Sequence, residues 1–218
     1  LASRRLVSAS EAARGVRLAG ASEVWLRDNV IEGGSVEVAD AARTGSSAEA
    51  VGVELSNLAL AVLDRNRIGS GVTDLTSSYT GTNPPNVMAV GLRAMNGSRV
   101  VAANNELATF GARGSGPADV GTRTLEIGGT RTRVTSVHNV LFSGRTSWSE
   151  ASSESAGVWM TDGTLVSVND VLLPGRADSV LGCYLGSRGT AHLVHTAFAT
   201  LEGDPFDAFL GHFDPATL

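Results

Sequence analysis

The segment Val134–Gly144, VTSVHNVLFSG, returns thirty-one residues later as Leu165–Gly175, LVSVNDVLLPG. A chain that repeats a phrase at this distance builds stacked structural units. Aligning the whole sequence on Asn139 brings out six copies, opening GVRLAG at Gly15, GVELSN at Gly52, GLRAMN at Gly91, TLEIGG at Thr124, GVWMTD at Gly157 and GCYLGS at Gly182. The aligned position is Asn29, Asn66, Asn105, Asn139, Asp170 and Thr196, at spacings of 37, 39, 34, 31 and 26. Two residues further on stands an apolar side chain each time: Ile31, Ile68, Leu107, Leu141, Leu172 and Phe198.

Each copy reads as three short strands. The first alternates apolar residues, as in Val16/Leu18, Val53/Leu55 and Leu125/Ile127, and a period of two means strand. Asn96-Gly97, Gly128-Gly129 and Asp162-Gly163 then mark a turn, because these dipeptides tolerate positive φ. A β-branched second strand, a corner at the Asn position, a third strand and a variable loop complete the copy. Strands this short cannot close a core within one copy, but stacked in parallel register they share a continuous one. The expected fold is therefore all-β: a right-handed parallel β-helix solenoid of about six three-strand coils, one domain over residues 1–218. Residues 15–201 form the coils, 1–14 an N-terminal cap or partial coil with a short helix, and 202–218 a C-terminal cap. Corner amides stack at the strand spacing of about 4.8 Å and bond one another. That ladder is expected to weaken at Asp170 and Thr196.

The N-x-[I/L] corner and the G-V-x-L strand resemble the right-handed β-helix repeat proteins of the pectate-lyase-like superfamily, over about Gly15 to Leu201. The resemblance implies a fold and leaves the chemistry open, because the superfamily includes lyases, hydrolases, epimerases, phage tailspikes and non-catalytic surface proteins. It also implies that substrate lies on the outer face of the first sheet, walled by the loops after the third strand. Those loops shorten along this chain, so the walls belong to the first four coils.

On that outer face the residues between the alternating apolar pairs form a row: Arg17, Glu54, Arg93, Glu126, Trp159 and Tyr184. Glu54 and Glu126 are expected about 9.6 Å apart, near the separation of an inverting glycosidase pair. Arg93 between them favours both carboxylates ionised, which suits a cross-strand salt ladder better than an acid–base pair. Trp159 and Tyr184 are adjacent aromatics in a chain with 5% aromatic content; sugar rings stack on such surfaces, and the alternative is that the C-terminal FDAFLGHF or a neighbouring domain covers them. Trp159, Tyr184, Arg93 and Glu126 are the candidate ligand-binding residues, and no catalytic residue is assigned. A lyase or epimerase would instead need a calcium-gripping carboxylate cluster, for which only the scattered loop acids Asp74, Asp119, Glu150 and Glu154 are available. No other cofactor or metal is expected. His138 and His195 share a corner position two coils apart, and His192 lacks a third ligand. Ser115 lacks the setting of a nucleophile elbow, and Asn96-Gly-Ser reads first as a turn.

Composition narrows the classes. All 17 basic residues are Arg, so P-loop, Schiff-base and kinase-type lysine chemistries are excluded. One cysteine, Cys183, rules out an intrachain disulfide framework. A net charge of −5 without a basic tract argues against nucleic acid, and no apolar run approaches a membrane span of about 18 residues. The start at Leu1 reads as a processing boundary and the chain as part of a longer protein. On the second strand, the positions four and five before the corner are both largely apolar, including Trp25, Val62, Val101 and Val166 beside Ala61, Val100 and Leu165. That pattern means either that the inward/outward phase slips in places or that a second copy or a neighbouring domain covers the second sheet. The expectation is an extracellular or cell-surface module for recognition or scaffolding, with polysaccharide as ligand; the alternative is a polysaccharide-active enzyme working on the same face.

Overall fold

The computed structural model describes residues 4–6, 11–20, 22–38, 47–75, 86–114, 119–144, 146–147, 153–199 and 208–211. These residues form parallel strands and no helix. The chain lays its strands into three sheets in turn, and within each sheet neighbouring strands come from successive passes. First-row strands are Glu11–Ala19, Ser47–Ser56, Asn86–Met95, Asp119–Gly128 and the leading halves of Ser153–Val168 and Ser179–Val194. Second-row strands, in the same eleven-stranded sheet, are Glu23–Arg27, Leu60–Asp64, Arg99–Ala103 and Arg133–Val137, continued by the trailing halves of those two long strands. The third row is a six-stranded sheet running from Val30–Glu32 to Ala197–Phe198.

Three features differ from the sequence reading. The loop after the third strand carries a fourth strand in most passes: Arg4–Leu6, Val36–Val38, Val72–Leu75, Gly111–Arg113 and Thr146–Ser147 form a five-stranded parallel sheet. The expected N-terminal helix is absent over the described residues 4–6 and 11–14, which are strand. Asp162-Gly163 does not break the fifth copy into two strands; Ser153–Val168 runs straight through it, with a register irregularity between Met160 and Asp162.

The first-row strands also start earlier than the repeats suggested, placing Gly15, Gly52, Gly91, Gly157 and Gly182 inside them. Register steps over this position, from Val90↔Arg123 directly to Leu92↔Leu125. Ahead of the glycine, Ala48, Val87, Ala89 and Val120 pack with Val36, Leu75 and Ala112 of the fourth row. Behind it, Val53, Leu55, Leu92, Ala94, Leu125 and Ile127 belong to the main core with Leu63, Ile68, Leu107 and Leu141. The inward set passes from residues 48 and 50 to 53 and 55, so the alternation slips by one at Gly52. At Gly91 a side chain does not fit, since a Cβ would lie 2.7 Å from the Thr124 carbonyl oxygen and 3.1 Å from that of Ala108 at the end of the third row; in the fourth pass Thr124 takes the equivalent position and is buried. The two cores meet at this glycine waist.

The corner after the second row has one construction throughout. Asp28, Arg65, Asn104, His138, Asn169 and His195 all take left-handed backbone, φ 51–57°, a conformation that Asn, Asp and His adopt more readily than most residues. The next residue turns inward. Asn66 Oδ1 accepts the backbone N–H of Asn29 and its Nδ2, both at 3.0 Å. Asn105 and Asn139 repeat the arrangement, and Asp170 Oδ1 accepts from the backbone N–H of Asn139 at 2.7 Å and from its Nδ2 at 3.2 Å. Each amide spends its other hydrogen on a carbonyl, as Asn105 Nδ2 does on Leu63. Ser167 then joins Asp170 at 2.6 Å to Thr196 at 2.9 Å.

The second sheet's two apolar rows face opposite ways. Ala61, Val100, Val134 and Leu165 are buried, whereas Trp25 is exposed and Val62, Val101, Thr135 and Val166 are half-buried on the outer side.

Candidate functional site

Arg17, Glu54, Arg93, Glu126, Trp159 and Tyr184 lie side by side in register on the outer face of the first row. The slip at the glycine brings a second set to this face, because residues three apart across it point the same way. Arg14 joins Arg17, and Arg123 joins Glu126.

These side chains pair in two groups, Arg14–Glu54–Arg17 and Glu49–Arg93–Glu126–Arg123–Glu154. Glu54 binds both Arg14 and Arg17, the latter at 3.1 Å. Glu126 binds Arg93 and Arg123, the latter at 2.7 Å. Arg93 reaches back through Nη1 to Glu49 at 2.9 Å, and Arg123 Nε lies 3.9 Å from Glu154. In the register, Val51 and Val90 lie between Glu49 and Arg93; with Met88 they make a small buried cluster. Burial works to raise the Glu49 carboxyl, and the Arg93 guanidinium that hydrogen-bonds it overrides this, with help from Arg14 and Arg123, holding it below the usual carboxylate range. Burial likewise opposes the charge on Arg93, and Glu126 and Glu49 overcome it, leaving the guanidinium more firmly protonated than an ordinary arginine. Arg93 and Glu126 are each only 12% exposed at the side chain, so their attraction is less screened than that of a surface pair.

The aromatics continue the row as a column rather than a broad platform. Trp159 and Tyr184 stack on each other with centroids 3.8 Å apart and planes 10° from parallel. The Arg123 guanidinium carbon lies 4.1 Å from the Trp159 ring centroid, within cation–π range. Trp159 is thus packed between a cation in the preceding pass and a ring in the following one.

In chemical terms the face offers a layered stack and a row of paired charges. The oxygens of Glu54 and Glu126 are committed to guanidinium donors, and Arg93 stands between the two carboxylates. Among the described residues no three His, Cys, Asp or Glu side chains gather where they would hold a metal ion. Of the loop acids, Asp74 lies in the fourth row, where burial raises its carboxyl against the pull of Arg113, with Glu37 adding to the rise. Glu150 and Ser115 lie outside the described residues, as does the side chain of Asp119. His138 accepts or donates at 3.0 Å with Asn169 of the next corner, and Asn96 donates to Ser56 Oγ at 3.0 Å. Cys183 is buried, and burial pushes its thiol up to about 12.

Sequence reading found the outer row but missed Arg14, Glu49 and Arg123. The signal was present: Arg17 stands three positions after Arg14 and Glu126 three after Arg123, with Gly15 or Thr124 just after the first of each pair, which marks the slip. No protein-family model matches the chain, and neither the curated proteins nor the solved structures compared with it yield a match.

Proposed function

We propose that the chain is a right-handed parallel β-helix of about six coils, of the pectate-lyase-like kind, acting as a non-catalytic recognition or scaffold module at the cell surface or outside the cell. Its ligand is a polysaccharide, held on the outer face of the first row by Trp159 and Tyr184 with Arg93 and Glu126 beside them. The observation that carries the reading is the column of Arg123, Trp159 and Tyr184 at the end of a row of paired charges. A stack supported from below is rigid and loses little conformational entropy when a ring docks on it. Commitment of Glu54 and Glu126 to arginines favours binding over hydrolysis. The half-exposed outer side of the second sheet is where a second copy or a neighbouring domain would pack.

A glycan array and a depolymerisation assay on one purified sample, with and without calcium, test this. The expected result is binding without product, weakened about tenfold in the Trp159→Ala/Tyr184→Ala double variant, from the ~0.5–1.5 kcal/mol an aromatic contact contributes. Product formation by the wild type would replace this reading with the enzymatic one.

A further inference from the structure

We infer that the outer side of the second-row strands is a dimer surface, on which a second copy of this chain packs about a two-fold axis. This names one occupant for the packing assigned to that face above, and rests on it. Trp25, Val62, Val101 and Thr135 form the middle of the face over the first four passes. Trp25 keeps 69% of its surface in solvent, a large apolar exposure at the end of a row of valines. On the leading side stand Glu23, Leu60, Arg99 and Arg133, the three charged residues exposed. Among the described residues no ion pair engages Glu23, Arg99 or Arg133, whereas Arg27 at the opposite edge pairs with Asp64 at 3.0 Å. Arg99 and Arg133 are also in-register neighbours, and like charges so placed repel. In the second, third and fourth passes the turns and corners on both sides of these strands are all described, and the arginines stand exposed among them.

Charge selects the arrangement. Sheets packed face to face keep their strands nearly aligned, and a closed homodimer places the same patch on both partners. A two-fold axis along the stacking direction sets Arg99 against the partner's Ala103 and Arg133 against the partner's Val137, leaving both cations on apolar side chains. An axis along the strands reverses the order of the passes and lets each row face its own copy. Full overlap then opposes Arg99 to the partner's Arg133. Centring the axis between the second and third passes instead opposes Glu23 to the partner's Arg133, twice over by symmetry. The same setting places Trp25 on the partner's Thr135, Val62 on the partner's Val101 and Leu60 under the stem of the partner's Arg99. Four strands about 4.8 Å apart, with five residues of about 3.3 Å in each, give about 300 Å² of face per copy. That falls below the roughly 800 Å² per partner of a standard interface, so the dimer is a weak, concentration-dependent one.

Sedimentation velocity on the full chain, over a range of loading concentrations, tests the assignment. The expected result is a monomer–dimer equilibrium that Trp25→Asp shifts to monomer. Glu23→Arg and Arg133→Glu should each weaken the dimer about tenfold, since each substitution acts at two symmetric contacts. The double variant Glu23→Arg/Arg133→Glu should recover most of the wild-type affinity, because the pair re-forms with its signs exchanged. A wild type that stays monomeric throughout, a dimer indifferent to Trp25→Asp, or a double variant no better than the single ones overturns the assignment. Should Trp25→Asp not fold, the charge exchange between two exposed residues decides the matter. Saccharide recognition is judged separately: monomeric Trp25→Asp should bind glycans as the wild type does, so loss of the dimer and loss of the recognition reading are told apart.

Discussion

Asn105 and Asp170 occupy equivalent corners and show how one atom decides which side chain a position accepts. Asn105 Oδ1 takes two donors from Asn66, and its Nδ2 gives one hydrogen to the Leu63 carbonyl and the other to Asn139 Oδ1. All of these groups are buried, so Asn105→Ala strands several of them and should cost about 3 kcal/mol. Asn105→Asp should cost a similar ~3 kcal/mol, because its second oxygen would face two acceptors in place of donating to them. At Asp170 the second oxygen accepts the Ser167 hydroxyl instead, so Asp170→Asn should cost under about 1 kcal/mol, the rotatable hydroxyl serving equally well as acceptor. Denaturant titration of the three variants checks the order; equal losses at the two corners would contradict it. The corner residue was legible from sequence because it recurs with an apolar residue two positions on. That Asp170 keeps its place in the ladder was not, because the compensating hydroxyl of Ser167 lies outside the aligned position.

The first-row strand is shaped by its glycine. Gly91→Ala would set a methyl 2.7 Å from one backbone oxygen and 3.1 Å from another, neither of which can swing aside as a flexible side chain would. The strands must part, at a cost of about 2 kcal/mol or more. Met95→Ala, at the half-buried end of the same strand, should cost clearly less, and thermal melts of the two variants make the comparison. This waist also explains what the sequence concealed. Period-two alternation reveals a strand only while its phase is constant, and at Gly52 the phase slips, so the half ahead of the glycine read as loop. The fourth-row strands escaped for a different reason: they are two to four residues long, too short for any period to show. The outer row from Arg17 to Tyr184 was readable because all its members lie on the same side of the slip. Mutual stacking of Trp159 and Tyr184 was not, since alternation gives the face and not the tilt of a ring.

Across the whole molecule each side-chain position recurs once per pass, so charges arrive in rows. Glu49 and the exposed Asp28 are both held below their ordinary values: Glu49 by Arg93 against the opposing effect of its burial, and Asp28 by its hydrogen bond to Arg65. In acid the unfolded chain takes up protons at these groups before the folded one does, so stability is fully present above the ordinary value of 4.5 for Glu49 and is lost as pH falls through the lower folded values. Urea midpoints measured from neutral to acid pH should stay level and then fall; a midpoint that rose on acidification would refute the sign. The same stacking gives the molecule a polarity. Every ladder oxygen receives its donors from the pass before it and none from the pass after, so a finished pass holds out N–H groups that only the following pass can receive. Removing a pass from the C-terminal side therefore strands N–H donors on the pass before it, whereas removing one from the N-terminal side leaves acceptor oxygens open.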